Sequence, residues 1–375
     1  VPNASTVAAT SVASLFRPFS VGSLTVPNRF VMAPMTRNFS PDGVPGEDVA
    51  AYYARRARHG VGLIITESTV VDHPASASSD TVPRFFGEAP LAGWARVVRE
   101  VHEAGGRIIP QLWHVGAARK PDDPPVPGVA PVSPSGLDVL GDRVGEPLTE
   151  AGIAEVVASF ARAAADAKRL GFDGIELHGA HGYLIDQFLW SATNRRTDRY
   201  GGSPAARATF AAEVVAACRA AVGPDFPIFL RLSQWKIPAF DARLAESPQE
   251  LEQFLEPLVR AGVDVFHCST RRFWLPEFDG TDLGFAGWVK KISGRPTVTV
   301  GSVGLDNSEF LTAFMGVGAT NAGLAELVRR LERDDFDLVA VGRLLAADPE
   351  WVAKIRDGRY DELIPFSPEV LTRLV

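Results

Sequence analysis

Cysteine is almost absent: the 375 residues contain two, Cys218 and Cys268. Two thiols so far apart in sequence exclude a disulfide framework, a structural zinc site and a four-thiolate iron–sulfur cluster, and a reducing cytoplasm is the compartment expected. Long apolar runs are missing too. No stretch approaches the roughly 20 residues needed to cross a bilayer, so a membrane is not an expected partner. Positive charge is neither abundant nor concentrated, with 38 basic against 45 acidic residues and a net charge of −7. Nucleic acid is therefore not an expected partner either. Residues 1–14, VPNASTVAATSVAS, lack the cationic start and apolar block of a secretory signal and read as a loose tail. No GxGxxG glycine fingerprint follows the first strand.

What the chain does have is 46% hydrophobic content, enough at this length for one large barrel or two ordinary domains. A helical segment, a Gly or Asp turn, a short apolar run and then polar residues recur along it. Strands are predicted within 29–34, 61–68, 106–114, 172–179, 226–233, 263–269, 295–302 and 336–343. Before the fourth, Ile153, Val156, Val157, Phe160, Ala164, Ala167 and Leu170 carry amphipathic helical spacing, and Gly171 marks its stop. Near-continuous apolar strands alternating with helices imply a parallel sheet covered on both faces, and eight units point to a closed barrel. The fold expected is α/β, a single (β/α)8 TIM barrel over residues 15–375, with an open doubly wound sheet as the alternative. FSVGSLTV, within 15–28, reads as a hairpin plugging the barrel bottom. The Pro-, Gly- and Asp-rich stretch 115–148, after strand three, is too long for an ordinary connection and is expected over the mouth. Thr36, Glu67, Gln111, His114, His178, Arg231, His267, Ser302 and Arg343 fall at strand exits and are expected to converge there.

The most informative segment is HGAHGYL at 178–184, which puts two imidazoles and a phenol at a strand exit, a site for holding an oxygen and delivering a proton. VGS (300–302) and VGR (341–343) place Gly301, Ser302, Gly342 and Arg343 after strands seven and eight, where barrels often hold a phosphate. Tight turns and a surface charge are the bland account. Arg231 lies between two leucines, so it needs an anionic or strongly accepting partner, either a bound cofactor or a carboxylate such as Glu176 or Glu67. Gln111 offers a donor and an acceptor to a ring with alternating carbonyl and N–H groups.

Together, APMTR (33–37), QLWH (111–114), HGAHGYL (178–184), NRRTDRYGGS (194–203), LRLS (230–233), VGS and VGR resemble the old yellow enzyme family, the FMN-dependent NAD(P)H ene-reductases. The match runs from about residue 15 to the end of the barrel. The resemblance implies noncovalent FMN, with Ala33, Pro34, Met35 and Thr36 along its ring, Gln111 at the pyrimidine edge and Arg231 near N1 and O2. Gly301, Ser302, Gly342 and Arg343 are then the phosphate site. It also implies that His178 and His181 bind the substrate oxygen, with Tyr183 as proton donor at a normal phenol pKa and Trp113 shaping the pocket. The reaction implied is ping-pong: NADPH or NADH passes a hydride to the flavin, which hands it to the β carbon of an α,β-unsaturated carbonyl or nitroalkene. RTDRYGGS resembles a brace for the loop after strand four. This chain departs from many relatives in carrying His181 for Asn and Ala117 and Ala118 where Arg is common, and Thr36 stands where one branch has Cys. Tyr360 has no secure alignment with the pocket tyrosine of some members, while Trp113, Phe273 and Trp274 could each line the pocket or simply pack. A nitro-compound or xenobiotic reductase on the same site is the nearest alternative. A phosphate-binding barrel lyase, with Lys236 as its only candidate Schiff-base lysine, is the alternative from another class. Small molecules are the expected partners, and a monomer and a homo-oligomer are both compatible with the sequence.

Overall fold

The computed structural model describes residues 11–306 and 316–375. Residues 1–10 of the expected tail lie outside the described residues, whereas Ala13–Phe16 forms a short 3-10 turn with Ser14 and Leu15 buried. Two strands, β1 (Phe19–Val21) and β2 (Leu24–Val26), pair antiparallel as the expected hairpin. Eight further strands follow: β3 (Phe30–Met32), β4 (Leu63–Val70), β5 (Ile108–Trp113), β6 (Ile175–His181), β7 (Ile228–Lys236), β8 (Val265–Ser269), β9 (Thr297–Val300) and β10 (Leu338–Val341). They close in the order β10-β3-β4-β5-β6-β7-β8-β9, every pairing parallel. The architecture is the eight-stranded α/β barrel the repeats predict.

The helices outside the barrel follow from local signals. The helix α1 (Glu47–Arg58) precedes β4, and α2 (Glu88–Glu103) precedes β5. Next comes α3 (Glu150–Leu170), which begins where the Thr149 hydroxyl accepts the Gly152 N–H at 3.1 Å and ends at Gly171 in the left-handed region, φ +87°. After β6 come α4 (Leu184–Leu189), α5 (Pro204–Arg207) and α6 (Thr209–Val222), and after β7 comes α7 (Pro248–Ala261), capped by Ser247. The remaining helices among the described residues are α8 (Phe285–Ser293), α9 (Ala325–Glu332), α10 (Arg343–Ala347) and α11 (Trp351–Arg356).

Among the described residues the apolar side chains gather in two large cores and a small third cluster of Val70, Ala77, Val82, Trp113 and Val115 beside the mouth. The larger core lies between strands and helices; the smaller core fills the barrel's lower interior with Ile65, Ile109, Phe229, Val265 and Val298. Leu24 and Val26 of the hairpin belong to this inner cluster, so the hairpin does plug the barrel bottom. Each such fully buried aliphatic or aromatic side chain contributes about 1.5–3 kcal/mol. Filling the bottom leaves the top of the barrel to the strand ends and the loops that follow them.

Candidate active site

At the C-terminal ends of the strands lies a cavity of about 660 Å³. Its lining includes every residue to which the motif resemblance gives a cofactor or substrate role: Ala33, Pro34, Met35 and Thr36 after β3, Gln111 and Trp113 on β5, His178 and His181 on β6 and Tyr183 just beyond it. Arg231 on β7, Gly301 and Ser302 after β9, and Gly342 and Arg343 after β10 complete the set.

The HGAHGYL segment gets its shape from a break in the β6–β7 register between Gly179 and His181. His181 takes a left-handed backbone, φ +65°, an uncommon conformation for a residue with a Cβ. It is held there by its N–H on Ser233 Oγ at 2.9 Å and by the Ile237 N–H on its carbonyl at 3.2 Å. Behind it, Lys236 Nζ meets Asp186 Oδ1 at 2.8 Å, and Asp186 Oδ2 accepts the Gly182 N–H at 2.7 Å. Both ion-pair side chains are fully buried. The turn therefore presents both imidazoles on one wall, with His178 Nε2 and His181 Nδ1 3.0 Å apart. The Tyr183 ring centroid is 4.9 Å from that of His178 and 4.8 Å from that of Trp113.

Burial sets the electrostatics of this wall. It pushes both imidazoles well below their ordinary pKa, with the Arg231 charge adding to the effect. Burial raises the Tyr183 phenol despite the opposing Arg231 charge, which corrects the expectation of a normal phenol. Arg231 itself is pushed down to about 10 by burial, against the pull of Glu176. Its only hydrogen bond among the described residues runs from Nη2 to Ser269 Oγ at 3.3 Å, and its buried Nε has no partner. Neither carboxylate considered from the sequence hydrogen-bonds it. Glu176 is occupied by Gln111 Nε2 and His267 Nδ1, both at 2.7 Å, and Glu67 by the Arg37 and Asn38 N–H groups.

At the far end, Arg343 Nη2 reaches Ser302 Oγ at 3.2 Å. The two glycines there serve different ends. A Cβ on Gly342 would meet Met35 Sδ at 3.5 Å and the Ala33 Cβ at 3.8 Å, ordinary contact distances, so that glycine is not required by packing against the β3 exit. A Cβ on Gly301, φ +146°, would lie 2.6 Å from the Thr270 carbonyl, so that glycine answers to backbone packing rather than to the approach of a ligand.

Three residues expected at the mouth are elsewhere. Glu67 is tucked under the β3 exit, His114 bonds His73 at 3.0 Å, and His267 lies sealed inside the barrel against Glu176. The cavity lining contains nothing from 115–148; Ser78, Ser79 and Val82, after β4, take that place. The long stretch instead lies beside the site, where a Cβ on Gly182 would meet Val139 at 2.8 Å. The NRRTDRYGGS segment braces it, with Arg196 Nη1 on the carbonyls of Pro134 at 2.8 Å and Leu148 at 2.6 Å. Lys236, the lysine a lyase would need, is fully buried in its ion pair and does not line the cavity. Phe273 and Trp274 pack on each other, and a C-terminal aromatic does line the cavity, but it is Phe366 rather than Tyr360.

Sequence reasoning missed Ser68, Trp235 and Ser269. Alternation from Ile65 turns Glu67 inward, but the ladder to β5 slips between Ile65 and Ser68, and the slip brings Ser68 to the cavity. The Trp235 ring lies 4.5 Å from that of His181, on a strand that runs three residues past its predicted end. Ser269 shares its face with His267, two residues earlier, so strand parity alone could have found it.

Residues 14–362 match the NADH:flavin oxidoreductase / NADH oxidase family, and the chain belongs to it. This is the old yellow enzyme family of the motif resemblance. An NADH oxidase of Thermoanaerobacter brockii is 37% identical over 93% of this chain, which spans 52%, about half, of that enzyme's length. The 12-oxophytodienoate reductase 1 of Oryza sativa subsp. japonica is 39% identical over 92% of this chain and 86% of its own. The solved structure of morphinone reductase in complex with tetrahydroNAD superposes with a TM-score of 0.77 at 32% identity, covering 96% of this chain and 94% of that one.

Proposed function

We propose that the chain is an FMN-dependent ene-reductase that uses NADPH or NADH to reduce α,β-unsaturated carbonyl compounds or nitroalkenes, with residues 15–375 as one cofactor-binding domain. The observation that carries this reading is the pairing of His178 Nε2 and His181 Nδ1, 3.0 Å apart on the cavity wall, with the Tyr183 phenol beside them. Similarity to reductases of 12-oxophytodienoate and morphinone supports it.

The residues present fit FMN. Arg231 holds a buried, unsatisfied guanidinium N–H in the mouth, Gln111 is a buried carboxamide on the lining, and Gly342 lines the cavity beside Ala33 and Met35 without being required by packing there. Pro34 and Thr36 extend that edge, and Gly301, Ser302, Gly342 and Arg343 would hold the ribityl phosphate. FMN, when bound, supplies a carrier that accepts a hydride from the nicotinamide and releases it to an electron-poor alkene. One cavity then serves reductant and substrate in turn, which is the condition for ping-pong kinetics.

The chain's own side chains act on the substrate. His178 and His181 grip its oxygen, where negative charge collects as the β carbon is reduced, and an N–H aimed at that oxygen is worth about 2–4 kcal/mol at the barrier. Burial keeps both rings neutral, so they orient the oxygen without bringing a full charge. Tyr183, held protonated by its raised pKa, delivers its O–H proton to the α carbon. Trp113 and Trp235 wall the substrate on either side of the imidazoles. The two buried free cysteines suit a reducing compartment, the cytoplasm. Among the described residues no helix is long and apolar enough to cross a membrane.

The test is Tyr183→Phe. Alkene reduction should fall by about 10²–10⁴-fold, while flavin bleaching by NADPH and reduction of nitro groups persist. Unchanged alkene turnover would remove Tyr183 from the reaction, and colourless protein that takes up no FMN would end the whole reading.

A further inference from the structure

Seven side chains of the cavity wall and barrel interior form one hydrogen-bonded chain. Arg231 Nη2 meets Ser269 Oγ at 3.3 Å, and Ser269 Oγ meets His181 Nε2 at 2.8 Å. His181 Nδ1 meets His178 Nε2 at 3.0 Å, and His178 Nδ1 meets Ser68 Oγ at 3.2 Å. Ser68 Oγ lies 2.5 Å from Gln111 Oε1, and Gln111 Nε2 lies 2.7 Å from Glu176 Oε1.

The ends of this chain are chemically unequal. A guanidinium only donates and a carboxylate only accepts, so the protons in between can be placed one at a time. From the carboxylate end, Gln111 must turn its NH2 to Glu176, which leaves Oε1 facing Ser68. Two oxygens at that distance need a proton between them, and only Ser68 has one to give. With its single proton spent, Ser68 can only accept from His178, so His178 is protonated on Nδ1 and bare on Nε2. His181 Nδ1–H therefore donates to His178 Nε2, which leaves His181 Nε2 bare, and Ser269, which accepts from Arg231, gives it its own proton. Ser269 has a second lone pair and accepts an Nε2–H equally well, so the direction of the chain is set at the Ser68 end. The reverse order sets an unprotonated oxygen pair at Ser68 and Gln111, or at Gln111 and Glu176.

We propose that Ser68 is a positioning residue that selects the tautomer of His178, and through it the kind of oxygen the imidazole pair accepts. This rests on reading His178 and His181 as the oxygen-binding pair. By giving its proton to Gln111, Ser68 makes the pair one acceptor, His178 Nε2, beside one donor, His181 Nδ1–H. That arrangement is complementary to a hydroxyl, which donates and accepts. A ketone oxygen accepts only, and it meets two donors only when Ser68 turns its hydroxyl from Gln111 to His178 Nδ1 and the ring proton moves to Nε2. Burial and the Arg231 charge keep His178 from meeting both demands by taking a second proton. Ser68 thus ties the hydrogen bonding of the Gln111 carboxamide to the donor or acceptor character of the substrate site. Nothing in the motifs calls for a serine here, since it reaches the cavity through the slip in β4.

The experiment uses FMN-loaded protein labelled with 15N-histidine, with the His178 resonances assigned by their loss in His178→Asn. Long-range proton–nitrogen correlation at pH 8 should show His178 protonated on Nδ1 in the native chain and in Ser68→Thr, which keeps the hydroxyl. In Ser68→Ala the proton should move toward Nε2. Cyclohexanone and cyclohexanol, titrated by perturbation of the flavin absorbance, should show Ser68→Ala favouring the ketone over the alcohol by about tenfold relative to the native chain, the worth of one hydrogen bond. An Nε2-protonated His178 in the native chain, an Nδ1-protonated one in Ser68→Ala, or an unchanged ligand ratio would each overturn the proposal. If neither ligand perturbs any variant, the oxygen-binding reading of the pair is what fails, while the nitrogen shifts still decide the tautomer claim.

Discussion

Replacing Asp186 by Asn would damage both the fold and the substrate wall, and its size can be worked from the contacts. Asp186 and Lys236 are fully buried 2.8 Å apart, Asp186 also accepts the Gly182 N–H at 2.7 Å, and Lys236 also donates to the Ser233 carbonyl at 2.8 Å. Burial raises the Asp186 carboxyl and lowers the Lys236 amine despite their attraction, so desolvation outweighs pairing in each. The pair is worth little against an apolar substitute, yet either half alone is costly. An Asn amide here must turn its NH2 toward the ammonium or toward the Gly182 N–H, donor against donor in both cases. Removing one partner of such a pair costs about 3–5 kcal/mol. With roughly 2.1 cal/mol/K of unfolding entropy per residue over 375 residues, this lowers Tm by about 4–6 °C. Adding Lys236→Met removes the stranded cation and lets the Asn oxygen take the Gly182 N–H, so more than half the loss should return. Thermal unfolding followed by near-UV circular dichroism, at equal and saturating FMN, measures all three proteins. A double variant as unstable as Asp186→Asn alone would refute the reasoning. Because Gly182 separates His181 from Tyr183, ketone affinity should fall in the single variant and recover in the double.

Glu67 carries a pH dependence. Burial pushes its carboxyl up to about 7, against the Arg37 and Asn38 N–H groups that favour its charge. A raised acid stabilises the fold fully below its unfolded pKa near 4.5, and that contribution is lost as pH rises through about 7. The difference is about 3 kcal/mol, from 1.36 kcal/mol per pKa unit. The Tm of Glu67→Gln relative to the native chain should therefore be higher at pH 8 than at pH 5, and a difference independent of pH would remove Glu67 as the source. Arg231→Met removes a buried cation that no described carboxylate hydrogen-bonds. FMN should bind about 10- to 100-fold more weakly, as expected when a charged hydrogen bond is lost, while the flavin-free protein keeps or gains stability. Equilibrium dialysis and flavin-free melts check both halves, and unchanged FMN affinity would free Arg231 of its role at the cofactor.

The sequence by itself determined the eight-strand repeat, the hairpin plug, and the gathering of His178, His181, Tyr183, Gln111, Arg231 and the two glycine turns at one end of the barrel. These features follow from periodicity and from the rule that parallel strands exit on one face, both of which are local patterns repeated along the chain. Tertiary structure decided what depends on neighbours distant in sequence. A slip between β4 and β5 turned Glu67 under the β3 exit and sent Ser68 to the cavity, a change of face that no reading of strand parity contains. His267 Nδ1 and Glu176 Oε2 pair inside the barrel across 91 residues of sequence, and Glu176 makes no hydrogen bond to Arg231, whose buried Nε has no partner among the described residues. Whether each imidazole donates or accepts is likewise a property of the closed hydrogen-bond chain, because a proton's place on a ring depends on partners that only the folded barrel brings within reach.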